Sequence, residues 1–192
     1  MTMQRAIIAT DRFNLPLVLF LLVAPVLLMF QGLDFTDAGV VVTSYQQVFS
    51  HPESVSYWFF MWLTNAIGGV FYLLLGETLG LLSMKIAAVL FFWATAAIVY
   101  YTLKGTVPTR YIVWGVFLGA GFQFARTTVL HYNIVTAFFY MLGLCFLFRG
   151  IIHRRTLLIF LSGFSLSLNV FARLPNLVGF ALIIGLFYYG LL

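Results

Sequence analysis

The chain has 192 residues, of which 63% are hydrophobic and only 8% charged, and its mean hydropathy is +1.06. A soluble domain of this length cannot bury so much apolar surface, so most of the chain must lie in lipid. The net charge of +5 comes from bases spread over separate loops, which excludes the basic stripe of a nucleic-acid-binding protein. The single cysteine, Cys145, excludes an internal disulfide.

The apolar runs are continuous rather than alternating, so they predict membrane helices rather than strands. The first run covers residues 15–33 and follows Arg5 and Arg12. It is long for the apolar part of a signal peptide, and no small-residue cleavage site follows it. We therefore expect a retained signal anchor.

A polar stretch, residues 34–57, comes next and contains Asp34, Asp37 and Glu53. Residues 58–76 are apolar again, and a helix of about 20 residues is enough to cross a bilayer. This segment is interrupted by an asparagine and two glycines, and its tryptophans and tyrosine are typical of helices that lie among lipid headgroups. It therefore either crosses the membrane or lies along its surface.

The remaining membrane helices are predicted at residues 81–103, 111–125, 134–148 and 156–172, and a last one follows Asn176. Gly115 and Gly119 have the four-residue spacing of small residues that is typical of close helix packing in membranes. The chain ends inside an apolar segment. We expect one transmembrane domain over residues 1–192 that is the N-terminal part of a longer protein.

Charge distinguishes the two topologies. If residues 58–76 lie along the surface, one side carries seven of the ten bases, namely Arg5, Arg12, Lys104, Arg110, Arg149, Arg154 and Arg155. The other side carries Lys85, Arg126 and Arg173 with four of the five acids. Because cytoplasmic loops are enriched in bases, this arrangement is favoured. We expect an all-α, multi-pass protein of the bacterial inner membrane with six membrane helices, a cytoplasmic N-terminus, and one or two interfacial helices in an external loop over residues 34–80.

Asp34 and Asp37 are the first candidates for chemistry, because they directly follow the first predicted membrane helix. A partly desolvated carboxylate at a membrane boundary can act as a general base on a hydroxyl group. Together with a substrate phosphate, the two carboxylates could also hold a divalent cation. The alternative is a solvated loop in which Asp37 caps a helix that begins near Ala38.

Lys85, Arg126 and Arg173 are the second set of candidates, with His131 predicted nearby on the same external face. Bases are unusual on that side of a membrane, and an anionic partner such as a phosphate or diphosphate accounts for them. The alternative is contact with lipid headgroups or ordinary salt bridges. No metal motif is present, because the histidines have no ligand spacing.

Three pieces of sequence together resemble a known family. They are the acids after the first membrane helix, the aromatic stretch over residues 57–69 (YWFFMWLTNAIGG), and the polar breaks at residues 131–133 (HYN) and 172–176 (ARLPN). The arrangement resembles the N-terminal half of GT-C-type polytopic glycosyltransferases, the broad group that includes dolichyl-phosphate-mannose-type and lipid A aminoarabinose transferases. Many members read Asp-Glu at the catalytic position, whereas Asp37 is followed here by Ala38.

The resemblance implies an enzyme that transfers a sugar from a polyprenyl-phosphate donor to an acceptor hydroxyl on the extracytoplasmic side. Its partners would be the lipid-linked sugar donor and membrane lipids. Asp37, or else Asp34, would deprotonate the acceptor. The donor phosphate would be bound by Lys85, Arg126 and Arg173, and the cavity would be lined by His131, Tyr132 and Asn176.

Two other classes of protein remain as alternatives. A transporter or channel could use the acids and Arg173 along a pathway, but no two-fold repeat of interrupted segments is visible. A non-catalytic membrane subunit could use the polar breaks only to end its helices.

Overall fold

The computed structural model describes the backbone of residues 3–32, 37–124, 129–181 and 188. Side chains are described for residues 15–32, 38–121, 129–179, 181 and 188. Every regular element in these ranges is helical, so the prediction of an all-α protein is confirmed for the described chain.

The helices are numbered in chain order. The first two are α1 (Met3–Leu28) and α2 (Asp37–Gln47). A kinked helical segment follows, here called the kinked segment, Pro52–Leu79. It consists of α3 (Pro52–Val55), a 3-10 turn (Ser56–Met61), α4 (Trp62–Phe71), a π-helical turn (Tyr72–Gly76) and α5 (Glu77–Leu79). The remaining elements are α6 (Leu81–Leu103), α7 (Thr109–Phe124), α8 (Tyr132–Ile152), α9 (Thr156–Ala172) and a 3-10 helix (Leu174–Phe180).

Among the described residues, three helices are long and apolar enough to cross a membrane: Pro52–Leu79, Leu81–Leu103 and Tyr132–Ile152. The apolar helices Leu15–Leu28 and Thr156–Ala172 are shorter. The chain is therefore a membrane protein with several apolar helices, as predicted, while the number of six crossings stays a prediction. Most of the last predicted helix lies outside the described residues.

Helices α6 and α8 run parallel along their whole length. The amide of Leu130, just before α8, donates to the carbonyl of Met84 at 3.0 Å. Half-way along, the rings of Phe91 and Phe138 lie 5.0 Å apart. At the far end, the Arg149 guanidinium of α8 donates to a carbonyl in the last turn of α6.

Helix α9 folds back antiparallel to α8. A small residue permits this close approach, because a Cβ atom at Gly143 would lie 2.8 Å from the side chain of Leu166. Helix α1 is antiparallel to α6, since Trp93 Nε1 donates to the Leu21 carbonyl and Lys85 Nζ donates to the Met29 carbonyl.

These pairings give the helix bundle two distinct ends. The basic end contains the N-terminal part of α1 and the turns after α6 and α8, with the described bases Lys104, Arg110, Arg149, Arg154 and Arg155. The opposite end is called the core end. It contains the C-termini of α1 and α9, the N-termini of α6 and α8, helix α2, and the two described acids Glu53 and Glu77.

A hydrophobic core cluster of buried residues lies at the core end, where α2 covers the start of α8. Tyr45 of α2 is 1% exposed, and its hydroxyl donates to the Leu130 carbonyl at 3.0 Å. Burial raises the pKa of Tyr45, so this phenol remains a donor at any physiological pH. Thr64 of α4 donates to the Ala172 carbonyl at 2.9 Å, which joins the kinked segment to the end of α9.

The middle and the C-terminal end of the kinked segment both meet the core end. Thr64, near the middle, lies against the C-terminus of α9, and α5 joins α6 directly through Gly80, whose φ of +52° suits glycine. A straight helix of this length extends about 42 Å at 1.5 Å per residue and would reach the far end of α6. The described contacts of the segment lie instead with α2, the first half of α6 and the C-terminal end of α9.

Replacing Gly68 by Val is expected to destabilise the core end. A Cβ atom at Gly68 would overlap the ring of the buried Tyr45, whereas one at Gly115 would meet nothing within 4 Å. We expect a loss of about 1–3 kcal/mol for Gly68→Val, seen as a lower thermal midpoint in detergent. Gly115→Val is the matched control, and equal midpoints for the two variants would contradict the packing described here.

The close helix packing predicted for Gly115 and Gly119 is not seen among the described residues. A Cβ atom at either position would meet no described atom within 4 Å. The four-residue spacing creates a smooth helix face but does not determine which partner meets it.

Candidate functional site

A cavity of about 220 Å³ opens at the core end, between α2, the 3-10 turn of the kinked segment, the start of α8 and the end of α9. Its walls are Val40, Val41, Trp58, Phe60, Met61, Tyr132, Arg173 and Pro175. The cavity thus brings together two residues singled out in the sequence, Tyr132 and Arg173. They come from polar breaks about 40 residues apart, so the helical pattern of the sequence alone does not predict that they meet.

Arg173 provides the positive charge of this cavity. It follows the last residue of α9 in extended backbone, with φ of −160° and ψ of 116°. Its guanidinium carbon lies 4.7 Å from the centre of the Tyr132 ring, and Nη1 lies 3.4 Å from Asn133 Oδ1. Within the described part of the chain, no carboxylate forms an ion pair with Arg173. The guanidinium therefore keeps donors for an anionic ligand.

His131 supports the cavity from behind. It is 3% exposed and occupies the N-cap position of α8, where Nδ1 accepts a long hydrogen bond from the amide of Asn133. The centres of the His131 and Tyr132 rings lie 3.7 Å apart. His131 thus contacts the wall residue Tyr132 but does not itself line the cavity.

Asn176 lies beside the cavity rather than in its wall. Its Nδ2 atom is 2.9 Å from Thr136 Oγ1, 2.9 Å from the Asn169 carbonyl and 3.1 Å from Asn169 Oδ1. These contacts tie the 3-10 helix Leu174–Phe180 to α8 and α9. Pro175, the preceding residue, contacts the cavity.

Lys85 lies elsewhere at the core end. Its side chain is 5% exposed, and Nζ donates to the carbonyls of Met29, at 2.8 Å, and Gln31. These carbonyls follow the last turn of α1, where a cation is favourable because the helix dipole is negative. The geometry gives Lys85 a bonded position at the end of α1, and its role in binding phosphate stays a prediction.

Replacing Lys85 by Met separates these two roles. Met preserves the unbranched stem but removes both hydrogen bonds, each worth about 1.5–3 kcal/mol because the donor is charged. We expect a lower thermal midpoint, with Lys104→Met at the exposed turn as the control. A variant with an unchanged midpoint but weakened binding of undecaprenyl phosphate would restore the phosphate role.

The acids are only partly described. Asp34 and Arg126 lie outside the described residues, as does the side chain of Asp37. The backbone of Asp37 begins α2, one helical turn before Val41 in the cavity wall. The first residue of α2 therefore lies near the cavity, a rise of about 6 Å along the helix from Val41.

Trp58 is a wall residue that the sequence did not single out as a donor. Its Nε1 atom is buried and has no hydrogen-bond partner among the described atoms. The sequence predicted only an aromatic residue at the headgroup level. The kink at Trp58, with φ of −90° and ψ of 24°, breaks the helix where Trp58 contacts the cavity, and no sequence signal marks it.

The arrangement suits an anion joined to an apolar or ring-shaped group. The guanidinium of Arg173, which has no carboxylate partner among the described residues, can bind anionic oxygens, while Phe60 and Tyr132 offer aromatic faces. Among the described residues, no group of three or more His, Cys, Asp or Glu side chains could hold a metal ion. Comparisons with protein families, curated proteins and solved structures found no match to this chain.

Proposed function

We propose that the chain is part of a membrane glycosyltransferase that moves a sugar from a polyprenyl-phosphate donor to an acceptor hydroxyl. One observation carries the proposal. The guanidinium of Arg173 stacks on Tyr132 in a cavity wall, without a carboxylate partner among the described residues, and Asp37 begins a helix that lines the same cavity.

Arg173 holds the phosphate of the donor in this proposal. A guanidinium forms paired hydrogen bonds with phosphate oxygens and keeps its charge at any physiological pH. When the bond between the sugar and the phosphate breaks, negative charge grows on the departing phosphate. A fixed cation beside it stabilises that transition state.

Asp37 is the proposed general base, with Asp34 as the alternative. The acceptor oxygen attacks the anomeric carbon, its proton passes to the carboxylate, and the phosphate leaves with the electron pair of the broken bond. Proton transfer by a placed carboxylate raises such rates by about 10²–10⁴-fold. Trp58 and Phe60, which line the cavity, would contact the sugar or the first isoprene unit of the donor.

The proposed orientation puts the basic end in the cytoplasm and the core end outside it, in a bacterial inner membrane. Two observations support this orientation. Five of the seven Lys and Arg residues with described side chains lie at the basic end, as expected for cytoplasmic turns, while Lys85 and Arg173 lie at the core end. The kinked segment contacts the core end both at its middle and at its C-terminus, which favours an interfacial position and a total of six membrane helices.

The test is a transfer assay on the full-length protein in proteoliposomes. The donors are radiolabelled undecaprenyl-phosphate hexoses and pentoses, supplied with a membrane extract as the source of acceptors, with and without EDTA. We expect label to pass from the lipid donor to an acceptor in at least one case. Folded protein that transfers label from none of these donors would favour the alternative of a non-catalytic membrane subunit.

A further inference from the structure

A second, apolar groove lies between α6 and α8 near the basic end of the bundle. It has a volume of about 310 Å³, and its walls include Ala97, Ile98, Leu142 and Phe146. The helices on both sides are long and apolar enough to cross a membrane. If both helices cross the membrane, the groove lies at the depth of the lipid acyl chains.

Two cations stand where this groove reaches the basic end. Arg149 lines the groove, is exposed, and uses one N–H to donate to the carbonyl of Tyr101. Lys104 Nζ lies 4.3 Å from the centre of the Tyr101 ring. The two charges therefore both lie beside Tyr101, one from α8 and one from the end of α6, where the apolar groove reaches the basic end.

These two charges have no acidic counterpart in the described chain. The described carboxylates, Glu53 and Glu77, belong to the kinked segment at the core end. Neither Arg149 nor Lys104 forms an ion pair with a described residue. A ligand that brings both an anionic head and an apolar tail would complete this arrangement.

We propose that the groove between α6 and α8 binds one anionic phospholipid, with its phosphate at Arg149 and Lys104 and an acyl chain along Ile98 and Leu142. Basic pockets between membrane helices on the cytoplasmic side are suited to such headgroups. A zwitterionic lipid fits less well, because its ammonium group would approach two cations. The site is independent of the proposed transfer reaction, since the cavity with Arg173 lies at the other end of the bundle.

Native mass spectrometry of the full-length protein in detergent tests the proposal. The probes are phosphatidylglycerol, phosphatidylethanolamine and undecaprenyl phosphate, each titrated against the protein. We expect one phosphatidylglycerol to bind at least about fivefold more tightly than phosphatidylethanolamine, as one or two basic residues at a lipid headgroup allow.

Variants then assign the lipid to this groove. Arg149→Gln removes the headgroup contact and Ala97→Trp fills the exposed groove wall, and each should weaken phosphatidylglycerol binding about fivefold to tenfold. Arg110→Gln is the control, because that guanidinium stacks on Tyr111 at the same end but outside the groove. It should change binding less than about twofold. Ala97→Trp also keeps the Arg149 contact with α6, so a folding defect in Arg149→Gln leaves the test intact.

Several results would overturn the proposal. Equal binding of phosphatidylglycerol and phosphatidylethanolamine would contradict a contact between the two bases and an anionic headgroup. Wild-type binding in both groove variants, or an equal loss in Arg110→Gln, would show that any selectivity belongs to the basic end as a whole. Tighter binding of undecaprenyl phosphate, lost in the same two variants, would assign the groove to a polyprenyl carrier instead of a phospholipid.

Discussion

Asp37→Asn is expected to lower the rate of sugar transfer by about 10²–10⁴-fold, the range for loss of a general base. The amide preserves the shape of the side chain but cannot accept the proton of the acceptor hydroxyl. Donor binding should be little changed, because the phosphate is held by Arg173. The measurement is the initial transfer rate in proteoliposomes at saturating donor, normalised to folded protein.

Glu53→Gln is the matched control for this loss. Glu53 is an exposed acid in the first turn of α3, in the same part of the chain but outside the cavity wall. Its variant should keep the wild-type rate. Full activity in Asp37→Asn with a loss in Asp34→Asn would move the base role to Asp34. Full activity in both would contradict a carboxylate base at this position.

Arg173→Ala is expected to raise the KM for the polyprenyl-phosphate donor by about 10- to 100-fold, as follows from losing a charged hydrogen-bonding group worth about 1.5–3 kcal/mol. Arg173→Lys should recover only part of this loss, because an ammonium group cannot form the paired contact or stack on Tyr132 in the same way. Transfer kinetics over a range of donor concentrations separate KM from kcat.

Arg110→Ala is a close control, because its guanidinium carbon lies 4.6 Å above the ring of Tyr111 in the same stacked geometry at the opposite end. Its donor KM should equal that of the wild type. A lower thermal midpoint for Arg173→Ala with donor KM and kcat both unchanged would instead make the stacking with Tyr132 a purely structural contact.

Composition predicts the helical class, and the charges predict which turns share an end of the bundle. These properties follow from local features, since each apolar run satisfies its own backbone in lipid and each basic turn remains near water. The kinks in residues 58–76 could not be predicted in the same way. The 3-10 and π-helical turns on either side of α4 depend on how α4 packs against α2 and α9.

The site residues show the same limit at the level of side chains. Arg173 and Tyr132 were found because polar breaks are rare in this chain. Lys85 was equally conspicuous, yet its Nζ atom bonds to carbonyls at the end of α1. Whether a buried cation meets an anion or a helix terminus depends on the neighbouring helix, which a single sequence does not reveal. The N–H of Trp58 was missed for a similar reason, because its burial arises from the kink around it.

Sidedness of the two ends tests most directly whether the candidate site faces the extracytoplasmic space. Single cysteines at the exposed residues Ser54 and Leu177 mark the core end, and Thr106 and His153 mark the basic end, all in a Cys145→Ala background. An impermeant thiol reagent applied to intact cells should label the first pair, and the second pair only after the membrane is opened. Labelling of Thr106 and His153 in intact cells, with Ser54 and Leu177 protected, would contradict the proposed orientation and place Arg173 on the cytoplasmic side.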